Sequence, residues 1–305
     1  MGDRRTVLQP FELTGALSAL PADLDVATWD GAGLPPDGVL KRVELYVMPY
    51  TFAEVTAEVI VAMPQLRVVQ TLTAGVEHVL PFLRDGLTLC NARGVHDAST
   101  AELAVALMLA SLRGIPEYVR AQDGQRWEHG LRPSLADRTV LVVGYGSVGA
   151  AVERRLRPFE CDVLRVARRA RDGVAGYEAL PSLLGRADVV VLTVPLTEQT
   201  RGMVDAAFLA RMRDGALLVN VARGPVVDTD ALVAELHAGR LSAALDVTDP
   251  EPPPPDHPLW SAPGVLISPH VGGNTSAFLP RATRLVRDQL ERYAAGEPLA
   301  NVVAW

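Results

Sequence analysis

The sequence predicts an α/β protein of two domains with doubly wound parallel sheets, the second domain inserted into the first. Three observations predict it. Short apolar runs alternate with helically spaced segments along most of the 305 residues. Runs in the second half, such as "ADVVVLTVP", are apolar without alternation, as parallel strands covered on both faces require. A glycine-rich turn, "GYGSVG", follows one of those runs directly and opens a helical pattern.

The length suffices for two ordinary domains, each with its own core. Hydrophobic residues make up 49% and charged residues 21% of the chain, the proportions of a soluble globular protein. No apolar run is long enough to span a bilayer, and the opening "MGDRRTVLQP" lacks the apolar core of a secretory signal. A cytoplasmic protein without membrane association is therefore expected. The net charge is −7 and no basic block is long enough to track a phosphate backbone, which argues against nucleic acid as a partner. Cys90 and Cys161 adjoin apolar runs and form neither a metal nor a disulfide pattern, so buried free thiols and no metal site are expected. Lys41 is the only lysine, which leaves little room for Schiff-base catalysis.

In chain order, "DVATW", "VELYVM", "LRVVQTL" and "LTLCN" read as strands, and "TFAEVTAEVIVAM" between them has helical spacing. The segment "DASTAELAVALMLASLRGI" predicts a long helix with Asp97, Ser99 or Thr100 as its N-cap. A polar stretch follows, "EYVRAQDGQRWEHGLRPSLADR". The alternation then restarts with "TVLVVGYG", "DVLRVA", "ADVVVLTVP", "GALLVNVA", "LSAALDV" and "GVLISPH". "PEPPPP" is a stiff connector. The last helix, "AFLPRATRLVRDQLERYAAG", is expected to return to the first domain. The resulting division is 1–96 with 275–305 as one domain and 97–274 as the other.

The strand "TVLVV" runs into Gly144-Tyr145-Gly146-Ser147-Val148-Gly149. Gly144 suits a tight turn, Gly146 lets the backbone approach a pyrophosphate, and Gly149 allows close helix–strand packing. The next helix carries Val148, Val152 and Leu156 on one face and points its first amides at a bound anion. This is a dinucleotide site. About 20 residues after the turn, where an acid would hold the ribose hydroxyls of NAD, stands Ala167, followed by Arg168 and Arg169. Arginines there can grip a 2′-phosphate. NADP(H) is therefore the expected cofactor and NAD(H) the second choice; the alternative is that both arginines are solvated and the site is indifferent.

Three later strand ends carry polar residues: Arg223 in "VNVARGPVVD", Glu251 in "LDVTDPEPPPP" and His270 in "SPHVGG". Ends of parallel strands share the edge where ligands bind. Hydride addition to a 2-oxo acid needs a cation for the carboxylate and carbonyl, a proton donor, and a carboxylate to orient that donor. Arg223, His270 and Glu251 supply these in turn.

Together these motifs resemble the D-isomer-specific 2-hydroxyacid dehydrogenase family over nearly the whole chain. "VVGYGSVG", "ADVVVLTVPLTEQTRGMV", "LLVNVARGPVVD", "ALDVTDPEP" and "LISPHVGGNT" carry the resemblance, with "VVQTLTAGVEHV" in the first domain. It implies two Rossmann-like domains, with Arg223 binding substrate, His270 as acid/base and Glu251 as its partner. It also implies that Asp246 bonds the nicotinamide carboxamide, while Thr193, Val194 and Pro195 line the adenosine with Thr200 close by. Val221, Ala222 and Gly272 join the cofactor set. The backbone amides of Ala74, Gly75 and Val76 would receive the substrate carboxylate. Met48, Tyr50 and Thr51 either shape substrate choice, Tyr50 as a contact, or are ordinary loop residues. Glu77 stands where many members have aspartate, and Leu103 follows Glu102 where histidine is frequent.

The arginines at 168 and 169 look like the NADP-using glyoxylate/hydroxypyruvate reductase branch. The expectation is a dimeric reductase of small 2-oxo acids giving D-2-hydroxy acids, with domain closure excluding water. Trp127 would be buried against the partner subunit. His78 and His96 are assigned structural or solvent roles, and His129, His237 and His257 the surface. Two other readings stay open at this point: a dinucleotide-sensing regulatory or scaffold protein, and a dehydrogenase of another small anion such as phosphite or formate.

Overall fold

The computed structural model describes residues 4–13, 20–33, 35, 38–51 and 55–305. The chain forms two compact units, Met1–His96 with Ser276–Trp305, and Asp97–Thr275. The first unit opens with β1 (Arg5–Gln9), β2 (Leu24–Thr28) and β3 (Val43–Val47). A short α1 (Val55–Glu58) continues as a 3-10 turn over Val59–Ala62 and leads to β4 (Val68–Gln70) and β5 (Thr88–Cys90). The second unit begins with α2 (Asp97–Leu112), α3 (Ile115–Asp123), β6 (Thr139–Val143), α4 (Ser147–Leu156) and β7 (Asp162–Val166). It continues through α5 (Leu180–Leu183), β8 (Val189–Leu192), α6 (Ala206–Arg211), β9 (Leu217–Asn220), α7 (Thr229–His237), β10 (Ser242–Leu245) and β11 (Val265–Ile267). The chain returns to the first unit as α8 (Phe278–Ala295) and β12 (Val302–Val303).

The first sheet has the order β12-β5-β4-β3-β1-β2; β12 is antiparallel to β5 and all other pairs are parallel. Side chains alternate along its strands. Leu45 and Val47 pack with Ala282, Val286 and Leu290 of α8, while Tyr46 and Met48 pack on the other face with Ile60 and Met63. Met48 is thus a core residue, which removes it from the candidates for substrate choice.

The second sheet is wholly parallel, in the order β11-β10-β9-β8-β6-β7. Val140 and Val142 of β6 meet α2 and α4 on one face, and Leu141 and Val143 meet α6 and α7 on the other. Burial on both faces explains runs with no alternation, each aliphatic side chain contributing about 1.5–3 kcal/mol. The expected doubly wound α/β fold is present in both units. Strand order reverses between β6 and β8, which places the ligand crevice of this unit at their carboxyl ends.

Local differences from the sequence reading have physical causes. Thr6 and Gln9 make "RTVLQ" look polar, yet both are buried in β1. In the segment read as a helix, residues 52–54 lie outside the described residues, and the rest tightens to 3-10 geometry after four α-helical residues. The long helix starts at Asp97, so Ser99 and Thr100 lie inside its first turns. Their hydroxyls reach Thr275 Oγ1 at 2.8 Å and the Gly272 carbonyl at 3.4 Å instead of capping. Cys90 is buried, where its thiol is pushed up to about 11 by burial, but Cys161 is only half-buried. Among the described residues no single helix is long and apolar enough to cross a membrane, and no group of three or more His, Cys, Asp or Glu side chains forms a metal site.

Candidate active site

Gly144 lies at φ +103°, and a Cβ there would come within 2.6 Å of the Thr193 and Val194 backbone. Only glycine satisfies both conditions. The Thr193 hydroxyl then locks β8 to the turn through the Gly144 carbonyl at 2.6 Å. At Gly149 a Cβ would meet the Gly144 carbonyl at 2.5 Å, so α4 starts flush against the strand. Gly146 faces open space. The amides of Ser147, Val148 and Gly149 donate to no group among the described residues, whereas Ala150 N–H already bonds the Gly146 carbonyl. Three orphan donors opening a ten-residue helix, beside a gap at Gly146, fit a diphosphate.

Beyond β7, Ala167 is buried and Arg168, Arg169 and Arg171 are exposed. Arg168 lies near the Tyr177 hydroxyl. Arg171, which the sequence reading passed over, bonds the Tyr145 carbonyl of the turn, with its guanidinium 5.7 Å from the Tyr145 ring centroid. On the other side Arg165 of β7 holds the buried Glu153 of α4, with its Nε 2.8 Å from Oε2, and the Tyr145 hydroxyl donates to the same carboxylate. The glycine turn is thereby tied to both α4 and β7.

Hydrogen bonding from Arg165, with a further donor in Tyr145, holds the Glu153 carboxyl at about 2 against an ordinary 4.5, despite its burial. A carboxyl lowered on folding stabilises fully above its unfolded value, and the contribution disappears as pH falls through the folded one. Glu153→Gln is expected to cost on the order of 3 kcal/mol near neutral pH. That cost should shrink as the pH is lowered from about 4.5 toward about 2. Urea unfolding midpoints of both proteins across that range check the convergence.

The loop after β8 is held by Thr200, whose buried hydroxyl donates to the Pro195 carbonyl at 2.6 Å and accepts from Thr197 N–H at 2.8 Å. Val194 is buried at the start of that loop. After β9 the buried Asn220 folds the chain back on itself: its Oδ1 accepts from Ala222 N–H and its Nδ2 donates to the Arg223 carbonyl, both at 3.0 Å. Val221 and Ala222 are buried in this bend, and the half-buried Arg223 emerges from it, with Nη1 2.7 Å from the Ala222 carbonyl. At Gly224 a Cβ would fall 1.8 Å from the Thr248 carbonyl oxygen, so this loop lies directly on the one that leads to Glu251.

His270 Nδ1 and Glu251 Oε1 are 2.5 Å apart. A carboxylate on Nδ1 makes that nitrogen the N–H donor and turns Nε2 outward as the reactive nitrogen. His270 sits at φ +52°, a conformation unusual for a residue with a Cβ. Asp246, buried at the end of β10, enforces it: its backbone carbonyl accepts from His270 N–H at 2.8 Å. Its carboxylate takes Ser268 Oγ at 2.7 Å and the Val271 and Gly272 amides, both at 2.9 Å. Three of roughly four acceptor positions are thus filled from within the unit, leaving about one for the expected carboxamide bond. The structure therefore gives Asp246 a second role, anchoring the histidine loop. At Gly272 a Cβ would crowd Asp246 Oδ2 at 3.0 Å.

In the first unit the carbonyls of Thr73, Ala74 and Gly75 are turned inward, onto Ala92 N–H at 2.9 Å, Asn91 Nδ2 at 2.8 Å and Thr73 Oγ1 at 2.6 Å. The amides of Ala74, Gly75 and Val76 have no acceptor among the described residues, which suits them to an anion. Tyr50 packs its ring 5.3 Å from His96 and 4.4 Å from Phe278. His96 is buried and donates Nε2–H to the Leu72 carbonyl at 2.7 Å, a structural role. His78, His129 and His237 are exposed, while the half-buried His257 caps the 3-10 turn at Pro258–Trp260.

A family model for the NAD binding domain of D-isomer specific 2-hydroxyacid dehydrogenases matches residues 105–272. A glyoxylate reductase of Thermofilum pendens is 34% identical over 259 residues, 80% of this chain and 76% of that one. A D-3-phosphoglycerate dehydrogenase of Archaeoglobus fulgidus is 32% identical over 283 residues, 89% of this chain but 54% of that one, so the chain spans about half of that relative. A crystal structure of a D-isomer specific 2-hydroxyacid dehydrogenase from Xanthobacter autotrophicus Py2, in complex with NADPH and MES, matches with a TM-score of 0.81 at 31% identity. That match covers 99% of this chain and 98% of that one.

Proposed function

The chain belongs to the D-isomer specific 2-hydroxyacid dehydrogenase family, and from that premise we propose that it is an NADPH-preferring reductase of small 2-oxo acids, with glyoxylate and hydroxypyruvate as first substrates. As a family member it is a dinucleotide-dependent oxidoreductase acting on CH–OH donors. The observation that carries the reductase chemistry is the 2.5 Å pair of His270 and Glu251, on the same strand-end edge as Arg223 and the glycine turn. When bound, the reduced nicotinamide supplies a hydride. His270 Nε2 gives its proton to the carbonyl oxygen as the hydroxyl forms. Glu251 keeps the ring in the required tautomer and orientation. Arg223 offers a planar fork to the substrate carboxylate and carbonyl.

Preference for NADPH rests on Ala167 in place of an acid and on the exposed guanidiniums of Arg168 and Arg169 beyond β7. The neighbour solved with NADPH supports the same preference, and the glyoxylate reductase relative supports the choice of substrate. The test is kcat/KM for glyoxylate and hydroxypyruvate with each dinucleotide, with formate and phosphite as comparison substrates in the oxidising direction. NADPH should exceed NADH by tenfold or more, roughly the worth of one charged hydrogen bond. Arg168→Asp should reverse the order. Equal or better efficiency with NADH in the unaltered protein rejects the preference.

A homodimer belongs to the same reading. Trp127 is 97% and Leu131 101% exposed, and Ile115 and Val119 of α3 are also exposed. Trp127, Tyr118 and Ala121 line a cavity of about 460 Å³. Large exposed apolar side chains such as these are what a second copy covers. Light scattering at micromolar concentration should give twice the chain mass, and Trp127→Ser with Leu131→Ser should shift it toward the monomer. A monomeric unaltered protein rejects the dimer. The proposed location is the cytoplasm, to be checked by cell fractionation.

A further inference from the structure

The first unit holds a concave patch that the proposed reaction does not use. Arg93, on the loop after β5, and Arg281 and Arg284 of α8 line a groove of about 270 Å³ together with Val95, Leu285 and Asp288. Helical spacing puts Arg281, Arg284 and Asp288 on one face of α8. The unit's other described arginines, Arg4 apart, each bond a carboxylate or a backbone carbonyl, as Arg42 bonds Asp25 and Arg84 the Met63 carbonyl at 2.6 Å. The three guanidiniums of the groove have no such bond among the described residues.

Three like charges lining one concavity repel each other, and a single carboxylate leaves the groove positive in a chain of net charge −7. Asp288 offsets that repulsion only in part, and an incoming anion would offset the rest. Guanidinium forks match the paired oxygens of phosphates and carboxylates, and their combined charge favours a multivalent ligand over chloride. Buried Val95 and half-buried Leu285 add apolar contact. Asp288 can accept from a hydroxyl or ammonium group on the same molecule. The volume lies just under the usual range of small-molecule pockets, which limits the occupant to a small anion. We infer that this groove is a second anion site, taking a small multivalent anion of the phosphate-monoester or polycarboxylate type. Its occupant ties the loop at Arg93–Val95 to α8, which raises the thermal stability of the fold.

Titration calorimetry tests this on the whole chain saturated with dinucleotide, at constant ionic strength. The probes are inorganic phosphate, pyrophosphate and citrate, with chloride as the reference ion. At least one probe should bind with a single molecule per chain and raise Tm; pyrophosphate against citrate separates a phosphoryl from a carboxylate ligand. Arg281→Ser combined with Arg284→Ser should weaken that binding by about tenfold or more. Arg93→Ser, on a loop outside the helix, should weaken it too, and it decides alone if the double variant does not fold. Arg292→Ser, outside the groove, should leave it unchanged. Absence of binding by all three probes, or unaltered binding in the groove variants, overturns the assignment.

Discussion

Replacing His270 with alanine should lower kcat by about 10²–10⁴-fold while leaving dinucleotide affinity unchanged. The loss expresses the missing proton donor: among the described residues, nothing else on the strand-end edge of this unit combines an imidazole with a carboxylate at 2.5 Å. Backbone strain complicates the alanine variant, because position 270 sits at φ +52°. His270→Asn separates the two effects, since asparagine tolerates that region better than alanine while supplying no titratable group. Equal losses in both variants assign the effect to the ring. Glu251→Gln should fall between them and the unaltered protein, because the ring loses the carboxylate that fixes its tautomer. Near-native turnover in either histidine variant would sink the assignment.

Gly224→Ala should abolish most activity without removing any chemical group. A Cβ at this position would sit 1.8 Å from the Thr248 carbonyl oxygen and 2.8 Å from Asp249 N, both backbone atoms that cannot rotate away. The two loops must separate, which costs about 1–3 kcal/mol or more. One of them carries Arg223 and the other leads to Glu251. A displacement of about 1 Å at such a site costs roughly 10²-fold in rate. The expected result is a kcat/KM about two orders of magnitude down together with a lowered Tm. Steady-state kinetics below the melting range separates the two, because the rate loss persists where the variant is fully folded. Unchanged kcat/KM would show that the loops move apart without disturbing the site.

Much of this unit was legible in the sequence because its physics is local. The four inner strands of the second sheet, β6, β8, β9 and β10, are short apolar runs because near-complete burial on both faces leaves no other pattern for them, while the edge strands β7 and β11 are only partly buried. The glycine turn announces itself through spacing, and its close approach to Thr193 is the reason for that spacing. Arg223, Glu251 and His270 were visible because each is a polar residue in the loop that follows an apolar strand run. Glu153 was not visible, because a charge on a helix ordinarily reads as solvated. Its burial depends on Tyr145 and Arg165, partners from two other elements. Arg165, the one cation inside the run "DVLRV", was the available signal. Arg171 was missed because its partner is a backbone carbonyl in the turn, which no side-chain pattern records. The anchoring role of Asp246 is likewise a matter of where loop amides point, visible only once the loop is folded.

The bond from Arg171 to the Tyr145 carbonyl bears on any redesign of cofactor use. The cationic segment beyond β7 holds residues of two kinds: Arg168 and Arg169 extend toward solvent, while Arg171 braces the bend that receives the diphosphate. Exchanging the segment as a block removes the brace along with the charge, so weaker binding of both nucleotides would report a slackened bend rather than a failed recoding. Point changes at 168 and 169 leave the scaffold intact and are the cleaner route to altered selectivity.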